Sequence, residues 1–143
     1  MIDMQNSFEP EGTLPPLPRI GIVMRVAKDY RTVAWYGHGP HENYIDRKES
    51  CPVGLWKITV DQLYVPYPRP QESGNREGVG WLSLTNSAGQ GMMAVAEAEP
   101  FAASALPYAA ADLAAATHHH ELKPRNEIVL SLDARQCGIG NIH

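Results

Sequence analysis

Apolar and polar residues alternate along this chain in short stretches. That period of two suits half-buried strands better than helices. Ile20–Val26 (IGIVMRV) and Thr32–Tyr36 (TVAWY) are apolar runs separated by the polar turn Ala27–Arg31, a pattern that predicts a β-hairpin. Leu55–Val60 (LWKITV) alternates as a strand does. Val79–Thr85 (VGWLSLT) predicts another, with Trp81, Ser83 and Thr85 on one face and Leu82 and Leu84 on the other. The turn Asn86–Gly91 returns the chain through Met92–Ala98, completing a hairpin. Phe101–Leu106 is a short extended piece stopped by Pro107, and Glu127–Asp133 (EIVLSLD) is the last predicted strand. Ala109–Thr117 (AAADLAAAT) is the one stretch whose composition favours a helix, because alanine loses so little on entering one.

Between these elements lie two shaped loops. The first follows β-like sequence at Trp35–Arg47 (WYGHGPHENYIDR), where two glycines and Pro40 end the strand and open a polar segment. The second, Tyr64–Asn75 (YVPYPRPQESGN), carries three prolines and cannot be a central strand. Ordered loops of that length in a compact domain often carry function. Residues 1–16 form an extended lead-in, polyproline-like from Leu14 to Pro18, and Gln136–His143 reads as a glycine-rich turn.

Composition narrows the class. In 143 residues, 12 prolines and 12 glycines with few helical patterns favour an all-β fold of one domain. A net charge of -4 gives no case for nucleic acid. No run of 18 apolar residues predicts a membrane span, and the first residues lack a secretion signal. A soluble chain is therefore expected. Two distant cysteines, Cys51 and Cys137, read as two thiols and not as a disulfide framework or zinc site.

Candidate chemistry is diffuse. His118, His119 and His120 are consecutive, but nothing nearby completes a metal-ligand set, so no metal is expected. No nucleophile elbow, P-loop or dinucleotide fingerprint occurs, and no cofactor is expected. Glycosidase chemistry needs two carboxyl groups across one bond; Glu42, Asp46, Glu72 and Glu97 are available, and sequence does not pair them. Epimerisation needs one carboxylate and one acid, for which Glu42 or Glu72 with His41 or His118 would serve. Trp35, Tyr36, Tyr44, Tyr64, Tyr67 and Trp81 can stack on a sugar's apolar face or anchor a β-sandwich core.

Several motifs in order carry a resemblance. Leu17–Gly21 (LPRIG) precedes Trp35–Arg47, in which Trp35, Gly37, Gly39, Pro40, Glu42, Tyr44, Asp46 and Arg47 stand in sequence. Val65–Arg76 (VPYPRPQESGNR), Phe101–Leu122 and Leu132–Gly140 (LDARQCGIG) follow. This series resembles the C-terminal, or small-chain, domain of the glycoside hydrolase family 2 β-galactosidases. The resemblance implies an antiparallel super-sandwich of the galactose mutarotase-like type, here partial. Residues 1–143 would be the latter half of that domain, short of its closing strands.

That resemblance also implies a division of labour. The catalytic glutamates of the family lie in an upstream TIM-barrel domain, so no catalytic residue is expected here. Trp35, Glu42, Asp46, Arg47, Glu72, Arg76 and His118 become candidates for carbohydrate binding or loop support. Arg47 is expected to pair Asp46 or Glu42, while Glu72 and Arg76 pin the proline-rich loop with His118 across the same cleft. The expected partners are a galactoside, through a parent enzyme in the cytoplasm or periplasm, and that enzyme's upstream domains. Cut sheet edges would add a homo-oligomer. The competing readings are a free-standing sugar-binding or mutarotase-like module and a purely structural interaction domain.

Overall fold

In the computed structural model, which describes residues 2–13, 15 and 17–137, the alternating segments become eight strands in two antiparallel sheets. The strands are β1 (Arg19–Ala27), β2 (Thr32–His38), β3 (Val53–Thr59), β4 (Arg76–Val79), β5 (Trp81–Thr85), β6 (Gly91–Val95), β7 (Phe101–Leu106) and β8 (Glu127–Gln136). The first sheet has the order β1-β8-β7-β4 and the second β3-β2-β5-β6. A short helix, α1 (Val60–Leu63), follows β3, and α2 (Ala110–Ala115) lies between β7 and β8. The fold is an all-β sandwich, as the alternation and turn content imply. Among the described residues no helix is long and apolar enough to cross a membrane.

The inward positions meet in one core. Val33, Trp35, Leu82 and Leu84 from the second sheet join Ala103, Ala105, Ile128 and Leu130 from the first, all fully or almost fully buried. Val60 and Leu63 of α1 and Leu113 of α2 belong to the same cluster. Helix α2 occupies the centre of the predicted helical stretch. It is held by Asp112, whose carboxylate accepts from the Ala109 N–H at 2.8 Å and takes a bidentate bond from Arg125. The Arg125 bond, with the Ala109 N–H, lowers the Asp112 pKa to about 2.

Three expectations change. Ile20–Val26 and Thr32–Tyr36 do not form a hairpin: β1 pairs β8, while β2 pairs β3 and β5. The link between them crosses from one sheet to the other, folding over a Tyr30 N–H bond to Ala27 O of 3.2 Å. Period-two alternation gives each strand an apolar face but does not say whether two neighbours pair in-plane or face each other across a core. Val79–Thr85 is likewise not one strand. It divides at Gly80, with β4 in the first sheet and β5 in the second, and Gly80 donates to Tyr36 O at 2.9 Å. Val60 leaves its strand to start α1. Parts of the Leu14–Pro18 segment and of the glycine-rich turn, namely Leu14, Pro16 and Gly138–His143, lie outside the described residues.

A register shift between Ile20 and Gly21 bears on the site below. It adds a residue to β8, so that Asp133 and Gln136, three apart, are both buried while Ala134 and Arg135 are exposed. The Asp133 carboxylate lies against the Gly21 backbone. A methyl group on Gly21 would collide with Asp133 Oδ1 and sit 2.5 Å from Leu132 O. Gly21→Ala is therefore expected to destabilise the chain by about 1–3 kcal/mol, read as a lower urea midpoint at unchanged slope.

Candidate functional site

The two shaped loops are adjacent in space, and most of the candidate residues meet where they join. The first loop is seated on two indoles. Trp35 donates through Nε1 to His38 O at 3.0 Å, and Trp56 to Gly37 O at 3.1 Å. Gly39 packs so closely on the Trp56 ring that a Cβ there would lie 2.7 Å from it. His38 donates through Nδ1 to Cys51 O at 2.6 Å, and the Gly39 N–H reaches Pro52 O, closing the base of the loop. The buried Cys51 thiol lies 3.0 Å from His41 Nε2.

Glu42 is the centre of the junction. Its buried carboxylate takes Arg47 at 2.6 Å and the Tyr67 hydroxyl on Oε1. On Oε2 it takes the Gly74 N–H at 2.6 Å and, more loosely, the Tyr44 hydroxyl at 3.4 Å. Two of these donors come from its own loop and two from the proline-rich loop. Arg47 also donates to the Tyr67 hydroxyl at 3.0 Å, and its guanidinium lies over the Tyr44 ring. Burial, with Glu42 beside it, pushes the Tyr44 phenol up; burial and the Glu42 bond do the same for Tyr67. Both hydroxyls therefore stay protonated as donors at neutral pH. Gly74 reaches this position at a φ of 78°, close enough to Leu63 O that only a glycine fits.

Beneath Glu42 two asparagines zip the loops together. The Asn43 N–H bonds Asn75 O at 3.0 Å, and Asn75 Nδ2 bonds Asn43 O at 2.9 Å. Asn43 Oδ1 accepts from the Glu77 N–H at 2.8 Å. These groups are fully buried, so each bond also removes the cost of an unpaired polar group.

Arg76 is buried against the core, its guanidinium 5.2 Å over the Trp35 ring. It donates to Gly74 O and Asn75 O at 3.2 and 3.1 Å, so it fixes the end of the proline-rich loop through main-chain carbonyls. Burial lowers its pKa to about 10, against the pull of Glu42. The cation is retained at neutral pH.

The remaining candidates lie elsewhere. Glu72 does not pair Arg76; it takes a bidentate bond from Arg19, at 3.2 and 3.3 Å. Arg19 also holds Asp133 Oδ2 at 3.0 Å, tying β1, the loop and β8 together. Burial raises Asp133 to about 6, with Arg19 opposing and Glu72 and Glu77 reinforcing. His118 stands just before the short 3-10 turn His119–Glu121. It is exposed and bonded to Thr117 and Glu121. Its neighbour His119 meets the proline-rich loop through a backbone bond to Pro68 O. Asp46 is exposed on its turn, and Arg47 pairs Glu42 in preference to it. Trp35 is completely buried and supports the loop from below.

Sequence reasoning missed Asn43, Asn75, Arg19 and Asp133. The signal was present, since Asn43 follows Glu42, Asn75 precedes Arg76, and Arg19 and Asp133 lie in the quoted motifs. What was lacking was the pairing across the fold. Of the four carboxylates considered for glycosidic chemistry, Glu42 and Glu72 are engaged as described, while Asp46 and Glu97 stand exposed on turns.

The profile of the family described as "Beta galactosidase small chain" matches residues 1–143. Among similar proteins, a Priestia megaterium β-galactosidase is 34% identical over 137 residues, covering 96% of this chain and 13% of its own length. The Bifidobacterium adolescentis β-galactosidase BgaC is 38% identical over 141 residues, 97% of this chain and 13% of its own. A Vibrio cholerae β-galactosidase is 38% identical over 127 residues, 89% of this chain and 12% of its own. The chain thus spans about an eighth of the length of the curated relatives it matches.

Two outcomes follow from this geometry. Glu42→Ala leaves the Gly74 N–H, Arg47 and Tyr67 without their acceptor and is expected to cost about 3 kcal/mol. Arg47→Ala removes a half-exposed partner and costs under about 1 kcal/mol. Urea unfolding of both variants checks the contrast. Asp133 ionises less readily folded than unfolded, so its contribution to stability is full below about pH 4 and is lost as pH rises through about 6. Asp133→Asn is expected to remove that slope from a stability profile between pH 4 and 7.

Proposed function

The chain belongs to the β-galactosidase small-chain family, and from that premise we propose that it is the latter half of the C-terminal β-sandwich domain of a β-galactosidase. In this reading the parent enzyme hydrolyses terminal β-D-galactosides with carboxylates carried by upstream domains. The present chain supplies scaffold beside the sugar site and contacts between subunits, and performs no hydrolysis alone.

The observation that supports this reading is the state of Glu42. A glycosidic acid or nucleophile needs a carboxylate free to exchange a proton or reach a sugar carbon. Glu42 instead has donors on both oxygens, drawn from two loops. It is spent on holding those loops in register. The exposed rim over it, Arg47 with Tyr67, is polar and rigidly backed, as a wall beside a sugar should be. Trp35, Glu42, Arg76, Asn43 and Asn75 act as loop supports. Glu72, two residues before Gly74, anchors the same end of that loop through Arg19, while Asp46 and His118 are exposed.

The test is made on the 143-residue chain. No release of nitrophenol from a nitrophenyl galactoside is expected, and no saturable galactose-dependent shift in its amide NMR spectrum. Turnover, or saturable shifts near Glu42, Glu72 or His118, would replace the scaffold reading with that of a self-contained sugar module.

A further inference from the structure

The outward face of the second sheet breaks the pattern expected of a sheet facing water. Antiparallel sheets with one solvated side alternate apolar-in and polar-out. Here Leu55, Tyr36, Trp81 and Val95 are cross-strand partners in a single row running edge to edge through β3, β2, β5 and β6. They point away from the core: Leu55 is 71% exposed, Val95 63% and Tyr36 46%. Met93, from the next row, and Val53, beside His38, extend the patch, at 60% and 53%. The opposite end of the same face is polar, with Lys57, Thr59, Thr32 and Thr85. The apolar half is therefore a contiguous patch bounded by polar residues, the arrangement that marks an interaction surface.

We infer that this apolar half-face is where the greater part of the β-galactosidase polypeptide docks on this domain. The inference rests on the fragment reading above. A sugar is a poor occupant, because Leu55, Val95 and Met93, which flank the two aromatic rings, offer no group to bond hydroxyls. The occupant is instead an apolar protein surface. Each relative carries about seven-eighths of its length outside the matching segment, so most of the enzyme is available to cover this face. The patch also lies at the end where β2 passes into the loop that holds Glu42. A surface seated on the row would therefore lie beside the Glu42 junction, and docking would set the position of that loop relative to the catalytic part.

The test uses Leu55→Asp and Val95→Asp, singly and together, with Thr85→Asp at the polar end of the same face as control. Each is made in the 143-residue chain and in a hybrid in which this chain replaces the matching segment of the Priestia megaterium enzyme. In the free chain all variants are expected to keep their thermal midpoint, because these positions face outward. In the hybrid, the two face variants are expected to lose at least tenfold in galactoside hydrolysis or in half-life at elevated temperature, and Thr85→Asp to match the unsubstituted hybrid. An active hybrid indifferent to Leu55→Asp and Val95→Asp would overturn the docking face and leave the fragment reading standing. An unsubstituted hybrid without activity would overturn the fragment reading, and the docking face with it. If sedimentation shows a dimer of the free chain that the face variants dissociate, while the hybrid is unaffected, the occupant is a second copy and the proposal fails.

Discussion

A single buried carboxylate fixes the relation between the two loops of this domain. Glu42 is accessible over only 5% of its side chain, and four donors from two loops converge on its carboxylate. A buried carboxylate is costly unless its oxygens find donors. That requirement works as a specification. Gly74 must turn its N–H inward at a positive φ, Tyr67 must present its hydroxyl, and Arg47 must fold back over Tyr44. Few other arrangements of two proline- and glycine-rich segments would satisfy the same acceptor. The loops owe their shape to this demand as much as to their own turn chemistry.

Charge is compensated around the junction in layers. Arg47 answers Glu42 at the surface, where solvent screens it. Arg76 lies below, held by carbonyls and the Trp35 ring, and contributes a diffuse positive potential to the same carboxylate. Arg19 serves two carboxylates at once, Glu72 and Asp133, so one guanidinium secures a loop to a strand at the far end of the first sheet. This arrangement leaves Asp133 undercompensated, which is why burial lifts it towards neutrality. The domain is thus most tightly buttressed along the proline-rich loop, at Glu72, Gly74, Asn75 and Arg76.

The fold class was legible because period-two alternation and the density of glycine and proline depend on local chemistry. Leu82 and Leu84 are buried and Trp81, Ser83 and Thr85 half-buried, as their alternation required. Pairing was less legible, since β1 and β2 satisfy their apolar faces equally well across a core as side by side. The break at Gly80 was hidden because a strand that changes sheet keeps its alternation on both sides of the crossing. In the site, Arg47 with Glu42 was legible because five residues and a tight turn bring them together. Arg19 with Glu72 was not, because 53 residues separate them and only the register of β1 on β8 decides the meeting. The family motifs named most of the residues at the junction, but motif membership does not tell a ligand from a strut.

The pairing of β1 with β8 has a consequence for how such a chain is made. β1 lies at the edge of its sheet, and β8 is its in-sheet neighbour among the described residues. Of the eight described strands, a ribosome delivers Arg19–Ala27 before the other seven and Glu127–Gln136 after them. The four described strands of the second sheet have all emerged with Val95, while β1 still waits for β8. Its apolar face, carrying Met24 and Val26, is then available to any passing strand. Among the described strands β8 is the one that covers β1, so interruption of synthesis shortly before Glu127 would leave the β1 edge without that partner.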